Sequence, residues 1–113
     1  MVRTIKYIPD RGDMVWLDFN PQFGHEQRGR RPALVLSYRT YNEKIGLAVF
    51  CPITSKEKGY PFEVKVEGTK INGCVLSDQI KSLDWKVRNI EFIERIGDEL
   101  FEEVLMKFKT LIE

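Results

Sequence analysis

At 113 residues, 42% of them hydrophobic and 31% charged, the chain has the length and apolar content of one folded domain. It is too short for two domains of ordinary size, and its composition excludes a disordered chain. A net charge of +1 names no partner by itself.

The distribution of charge says more. Gln22 to Lys44 carries five basic residues against two acidic ones, whereas Glu94 to Glu113 carries six acidic residues against three basic ones. Such polarity can aim a modest field at an anion, although a mixed solvated surface has the same pattern. Cys51 and Cys74 lie in apolar runs without CxxC or zinc spacing and are expected as buried free thiols in a reducing compartment. One histidine and no Cys/His cluster argue against a protein-built transition-metal site. No apolar run approaches a membrane span and the N-terminus lacks an apolar signal region, so a soluble cytoplasmic protein without a membrane partner is expected.

In chain order, "DMVWLDF" (13–19) alternates Met14, Trp16 and Asp18 with Val15, Leu17 and Phe19, the pattern of a first strand. A polar loop over 20–31 follows. "RPALVLS" (31–37) is a continuous apolar run and predicts a buried strand with Pro32 at its start. "YRTYNEK" (38–44) is polar, with room for a helical turn. "IGLAVFCPIT" (45–54) predicts a third strand ending near Pro52, and "SKEKGY" (55–60) a charged loop. "PFEVKV" (61–66) alternates as a half-exposed strand. "CVLSDQI" (74–80) predicts a fifth strand whose apolar pattern is broken by "SDQ", and "IEFIERI" (90–96) a short last strand.

The tail predicts a helix capped by Asp98. Leu100, Phe101, Val104, Leu105, Phe108, Leu111 and Ile112 share one face, with acidic residues early and lysines late. The expected fold is mainly β with a C-terminal helix: one domain built on a small, strongly curved antiparallel sheet or partly open barrel. Its edges need protection, which dimerisation would supply.

Four ordered pieces, "RGDMVWLDFNP", "GHEQRGRRPALVLS", "PITSKEKGYPFEV" and "GCVLSDQIKSLDW", resemble the MazF/PemK family, the toxin half of bacterial toxin–antitoxin pairs. The likeness runs from about Tyr7 to Trp85. It implies an SH3-like barrel of CcdB/PemK type across residues 1–113, a homodimer, and a metal-independent, sequence-specific endoribonuclease acting on single-stranded RNA such as mRNA. It also implies a MazE/PemI-like antitoxin whose extended acidic and apolar tail covers the active site.

RNA carries its own nucleophile, the 2′-hydroxyl. Cleavage without a metal needs a base for that proton, a charge clamp for the phosphorane and an acid for the 5′-oxygen. Arg31 stands where loop meets strand, and its planar fork matches two phosphate oxygens. It occupies the family's catalytic arginine position before Pro-Ala. Thr54 ends the third strand at the family's catalytic threonine position, where its hydroxyl can donate to a phosphate oxygen. Glu26 is the candidate base, with a loop salt bridge to Arg28 or Arg30 as the competing reading. His25 is the other titratable option. Family members that use a histidine pair it with an arginine and an aspartate on the fifth strand. Asp78 matches that aspartate, but Leu76 occupies the arginine position, a departure that favours the Arg–Thr pair of the MazF-like branch.

Candidate substrate contacts are Phe19, His25, Gln27, Arg30, Lys58, Asp78 and Gln79. Arg30 would be a second phosphate contact, and Lys58 matches an RNA-contacting lysine of the family. Asp78, Gln79 and Gln27 are suited to base edges, and Phe19, with Tyr60 or Trp85, to stacking. Each aromatic is equally suited to the core. Two other classes compete. A CcdB-like toxin poisons DNA gyrase through a Trp-Gly-Ile terminus, whereas this sequence reads "TLIE" there. A non-catalytic RNA-binding barrel would not need Glu26, Arg31 and Thr54 together.

Overall fold

The computed structural model describes residues 6–19, 29–68 and 70–113. Among the described residues, seven strands form one antiparallel sheet: β1 Asp13–Asp18, β2 Arg30–Val35, β3 Ala48–Thr54, β4 Glu63–Glu67, β5 Asn72–Leu76, β6 Lys81–Leu83 and β7 Glu91–Arg95. Helix α1 (Arg39–Ile45) links β2 to β3, and helix α2 (Asp98–Lys109) closes the chain. The strand order is β4-β5-β3-β2-β1-β7, with β6 also on β3.

The curl of the sheet turns on β3. One edge of β3 pairs with β2. The other pairs first with β6, over Ala48 to Phe50, and then with β5, over Ile53 and Thr54. Pro52 falls between these two partners, where a missing N–H costs no ladder bond. The third strand therefore runs through Pro52 rather than ending near it. A register shift between Met14 and Val15 bends β1 along β7.

β1 and β2 bury both of their faces. Met14 and Leu34 join Ile53, Val64, Val75, Phe101 and Val104 beneath α2. Val15, Leu17, Ala33 and Val35 join Phe50 and Trp85 on the opposite face. This two-sided burial explains why "PALVL" reads as an unbroken apolar run.

Several boundaries differ from the sequence-based expectation. Residues 38–44 hold a full helix, α1, and residues 45–47 precede β3 instead of belonging to it. The fifth strand stops at Leu76, because Ser77 and Asp78 form a turn in which Gln79 N–H donates to the Leu76 carbonyl. Between the fifth strand and β7, where the sequence pattern marks no element, the chain forms β6 and a 3-10 turn over Trp85–Val87. Asp98 does not cap α2. Gly97 holds the extended cap position without a side-chain bond, and Asp98 is the first helical residue, where its charge still favours the helix dipole. Among the described residues, no helix is long and apolar enough to cross a membrane.

Candidate active site

The β2–β3 ladder pairs Ala33 with Pro52. Continued two residues, that register sets Arg31 opposite Thr54, at the ends of two neighbouring strands. Both line one groove of about 530 Å³, within the range of ordinary ligand sites, ~300–1,000 Å³. Thr54 is half-buried and its Oγ1 accepts the Lys56 N–H at 3.1 Å, so the loop leaving β3 fixes the hydroxyl. The guanidinium of Arg31 is exposed and forms no ion pair among the described residues. Trp16, Lys56, Lys70 and Asn72 complete the parts of the lining that bear on chemistry.

Arg30 points elsewhere, as alternation along a strand requires. Its Nη1 donates to the Asn89 carbonyl at 2.7 Å and its Nη2 pairs with Glu91 at 2.5 Å. Asn89 adopts a left-handed backbone (φ +58°), which asparagine tolerates better than most residues. Phe19 rests against the Trp85 cluster, with the Lys81 ammonium 5.9 Å from its ring centre. Its N–H donates to the Gly29 carbonyl at 3.1 Å, closing the two ends of the 20–28 segment. Arg88, from the turn before β7, donates to the carbonyls of Asp18 and Phe19 at 3.0 and 2.7 Å. The side chain of Arg88 is only 16% exposed and also bonds Asp84, whose carboxyl it holds below the usual range.

Lys58 lies in a loop organised by Glu63. That carboxylate accepts the backbone N–H groups of Lys58, Gly59 and Tyr60, and Gly59 supplies the left-handed residue the turn needs (φ +74°). Lys107 of α2 donates to the Pro61 carbonyl at 2.7 Å and pins the same loop from below. The Tyr60 hydroxyl donates to Asp78, a bond that raises the Tyr60 pKa. The other Asp78 oxygen is buried without a hydrogen-bond partner among the described residues. Gln79 is exposed. Lys58, Asp78 and Gln79 are not among the described residues lining the Arg31–Thr54 groove. Glu26, His25 and Gln27 lie outside the described residues.

Trp85 is core. Its indole N–H donates to the carbonyl of buried Asn42 at 3.0 Å. Trp16, by contrast, is 36% exposed in the groove. The sequence signal for Trp16 is its place as a large aromatic on the strand alternation that also carries polar Asp18, a face the stacking candidates Phe19, Tyr60 and Trp85 do not include. Lys70 and Asn72 gave no sequence signal, because they reach the groove only through the β4–β5 hairpin.

Residues 10–112 match the family model described as PemK-like, MazF-like toxin of type II toxin-antitoxin system. The chain belongs to this family. It is 42% identical over 107 residues to the endoribonuclease toxin MazF of Escherichia coli (strain K12), covering 95% of this chain and 96% of that protein. Endoribonuclease PemK of Escherichia coli is 30% identical over 108 residues, covering 91% and 81%. Among solved structures, MazF from Deinococcus radiodurans superposes with a TM-score of 0.85 at 48% identity, covering 95% of this chain and 98% of that one. The MazE-MazF structure from the same organism gives 0.84 at 42% identity, covering 95% and 97%. The higher identity to MazF than to PemK agrees with the MazF-like reading of Leu76.

Proposed function

We propose that this chain, as one domain over residues 1–113, is the toxin of a type II toxin–antitoxin system and cuts single-stranded RNA in the cytoplasm. The reading is carried by one observation: Arg31 and Thr54 end adjacent strands on one groove, with the guanidinium free of any ion pair among the described residues. The relatives named as endoribonucleases support it.

In the proposed reaction, the 2′-hydroxyl oxygen attacks the neighbouring phosphorus and the P–O5′ bond breaks. The 2′ proton passes to Glu26, with His25 as the other candidate, and the 5′-oxygen leaves as a hydroxyl by taking a proton from solvent water. The products are a 2′,3′-cyclic phosphate and a 5′-hydroxyl. Arg31 neutralises charge that builds on the phosphorane oxygens, and the Thr54 hydroxyl donates to one of them. No step calls for a metal. Lys58, Asp78 and Gln79 would engage RNA beyond this centre, with Gln27 as a further base contact, whereas Arg30, committed to the Asn89 carbonyl and Glu91, and Phe19, packed on the Trp85 cluster, would support the site.

A MazE-like antitoxin fits the same surface, because an acidic and apolar tail complements a groove lined by Arg31, Lys56, Lys70, Trp16 and Ile71. The solved MazE-MazF structures support such a partner. A homodimer would cover exposed strand edges. The test is incubation with a long mixed-sequence RNA in excess EDTA, beside a DNA copy. Discrete RNA fragments with intact DNA are expected. Intact RNA in the presence of folded protein would overturn the reading in favour of a protein-binding toxin or a non-catalytic RNA binder.

A further inference from the structure

We propose that the β4–β5 hairpin is the second wall of the RNA groove and that Lys70 holds a backbone phosphate next to the one being cut. The proposal rests on the endoribonuclease reading and adds a contact that the sequence motifs do not mark.

The charged side chains of the groove are all cationic. Arg31, Lys56 and Lys70 line it, and no carboxylate appears among its described lining residues. A second cleft differs in being mixed in charge. The cleft between the first loop and α2 mixes Arg11 and Arg95 with Asp10, Asp98 and Glu102. On the hairpin itself, Lys65 lies 3.7 Å from both Glu57 and Glu67. Lys70, five residues on, is exposed and makes no ion pair among the described residues. Lys70 thus stands with Arg31 and Lys56 on a groove whose described lining carries no carboxylate, an arrangement suited to an anion.

The hairpin is also held at a fixed distance from the reacting centre. Thr54 pairs with Cys74, and the backbone of Gly73 passes so close to β3 that a Cβ there would lie 2.7 Å from the Thr54 carbonyl oxygen and 3.0 Å from Ile53 Cγ2. Only glycine permits that approach. At the turn, the Gly68 N–H donates to the Ile71 carbonyl at 2.9 Å, and the Lys70 N–H donates to the Glu94 carboxylate of β7 at 2.8 Å. The backbone of Lys70 is therefore anchored to β7, and the hairpin that carries it is anchored to Thr54. A polyanion whose scissile phosphate sits on Arg31 and Thr54 presents its next phosphate to a rim whose position is already set, which lowers the ordering cost of binding.

A phosphate contact has a signature that a purely structural lysine lacks. Each contact to a single strand releases counterion and contributes ~0.7 to the slope of log affinity against log salt. The experiment measures kcat/KM for release of one defined fragment from a long RNA across a salt series. For Lys70→Gln, the slope should shrink by about 0.7, with KM rising more than kcat falls, and Lys70→Arg should restore the slope. Lys44→Gln, on α1, should match the parent protein. A parent protein that cuts RNA while Lys70→Gln keeps the full slope would overturn the role of Lys70 alone. A parent protein that cuts no RNA would overturn the nuclease reading and this contact with it.

Discussion

Arg30 and Arg31 are consecutive residues of β2 whose guanidinium groups serve opposite sides of the strand. Arg30 is held by the Asn89 carbonyl and Glu91, whereas Arg31 lines the groove opposite Thr54 without an ion pair among the described residues. One arginine fastens the entrance of the strand, and its neighbour is left available for a ligand.

The two should therefore differ sharply on substitution. Arg31→Ala should lower kcat by ~10²–10³, the cost of removing one donor from a charge-stabilising site, with little change in stability. Arg31→Lys should recover only part of the loss, since a point charge does not reproduce the fork. Arg30→Ala should cost no more than about 1 kcal/mol of stability, as expected for a surface pair. Single-turnover cleavage beside urea denaturation separates the two effects.

Arg88 joins the turn before β7 to the end of β1 through the Asp18 and Phe19 carbonyls. Arg88→Ala should cost about 1–3 kcal/mol, because these acceptors lose charged donors in a part-buried setting. Cleavage should also fall, since the end of β1 pairs with Arg30 and Arg31. Arg88→Lys should leave part of the defect, because a single ammonium replaces both the Nη1 that serves the two carbonyls and the Nε that holds Asp84. Denaturation midpoints and cleavage rates of the two variants check this.

Asn42 was not expected in the core, yet it organises one end of it. Its amide donates to the Pro9 and Ser37 carbonyls at 2.8 and 3.0 Å and its oxygen accepts the Ser37 hydroxyl at 2.6 Å. Ser37 in turn accepts the Val49 N–H at 2.9 Å. Asn42→Leu should strand several of these groups at about 1–3 kcal/mol each, enough to lower the melting temperature markedly. Calorimetry would register the change.

Burial, with the Asp78 charge second, pushes the Cys51 thiol up to about 12 from its ordinary value of 9.0. Tyr7 is also raised, by burial and by its bond to Asp13. Above pH 9 the unfolded chain releases the Cys51 proton while the folded chain keeps it. The folded state then binds more protons, so stability falls as pH rises from about 9 towards 12. The slope for this one group is about 1.4 kcal/mol per pH unit. Urea midpoints at pH 8, 9 and 10 should decline, and less steeply in Cys51→Ala. Below pH 9, Cys51 should resist alkylation until the protein unfolds.

Much of the sheet was legible because its strands announce themselves by burial. The two-faced runs around Val15 and Leu34, the alternation of Val64 and Val66, and the apolar stripe of α2 each appear where periodicity puts them. β6 was not legible: "KSL" is three residues long, largely exposed, and exists only because β3 offers it an edge. The full length of α1 was hidden in a polar segment whose one buried anchor, Asn42, is itself polar. In the site, Arg31 and Thr54 could be named from motif positions. Their joint groove depends on strand register, as does the approach of Lys70, and a single sequence does not state which strands are neighbours. The separation of Arg30 from Arg31 was implicit in strand alternation once β2 was known to begin at Arg30.

The most direct measurement is the end chemistry of RNA fragments made in EDTA by the parent protein, Arg31→Ala and Thr54→Val. The account predicts 5′-hydroxyl and 2′,3′-cyclic phosphate ends from the parent protein, and a deep loss of rate in both variants without loss of folding. Fragments ending in 5′-phosphate and 3′-hydroxyl, or parent-like cutting by Arg31→Ala, would contradict it.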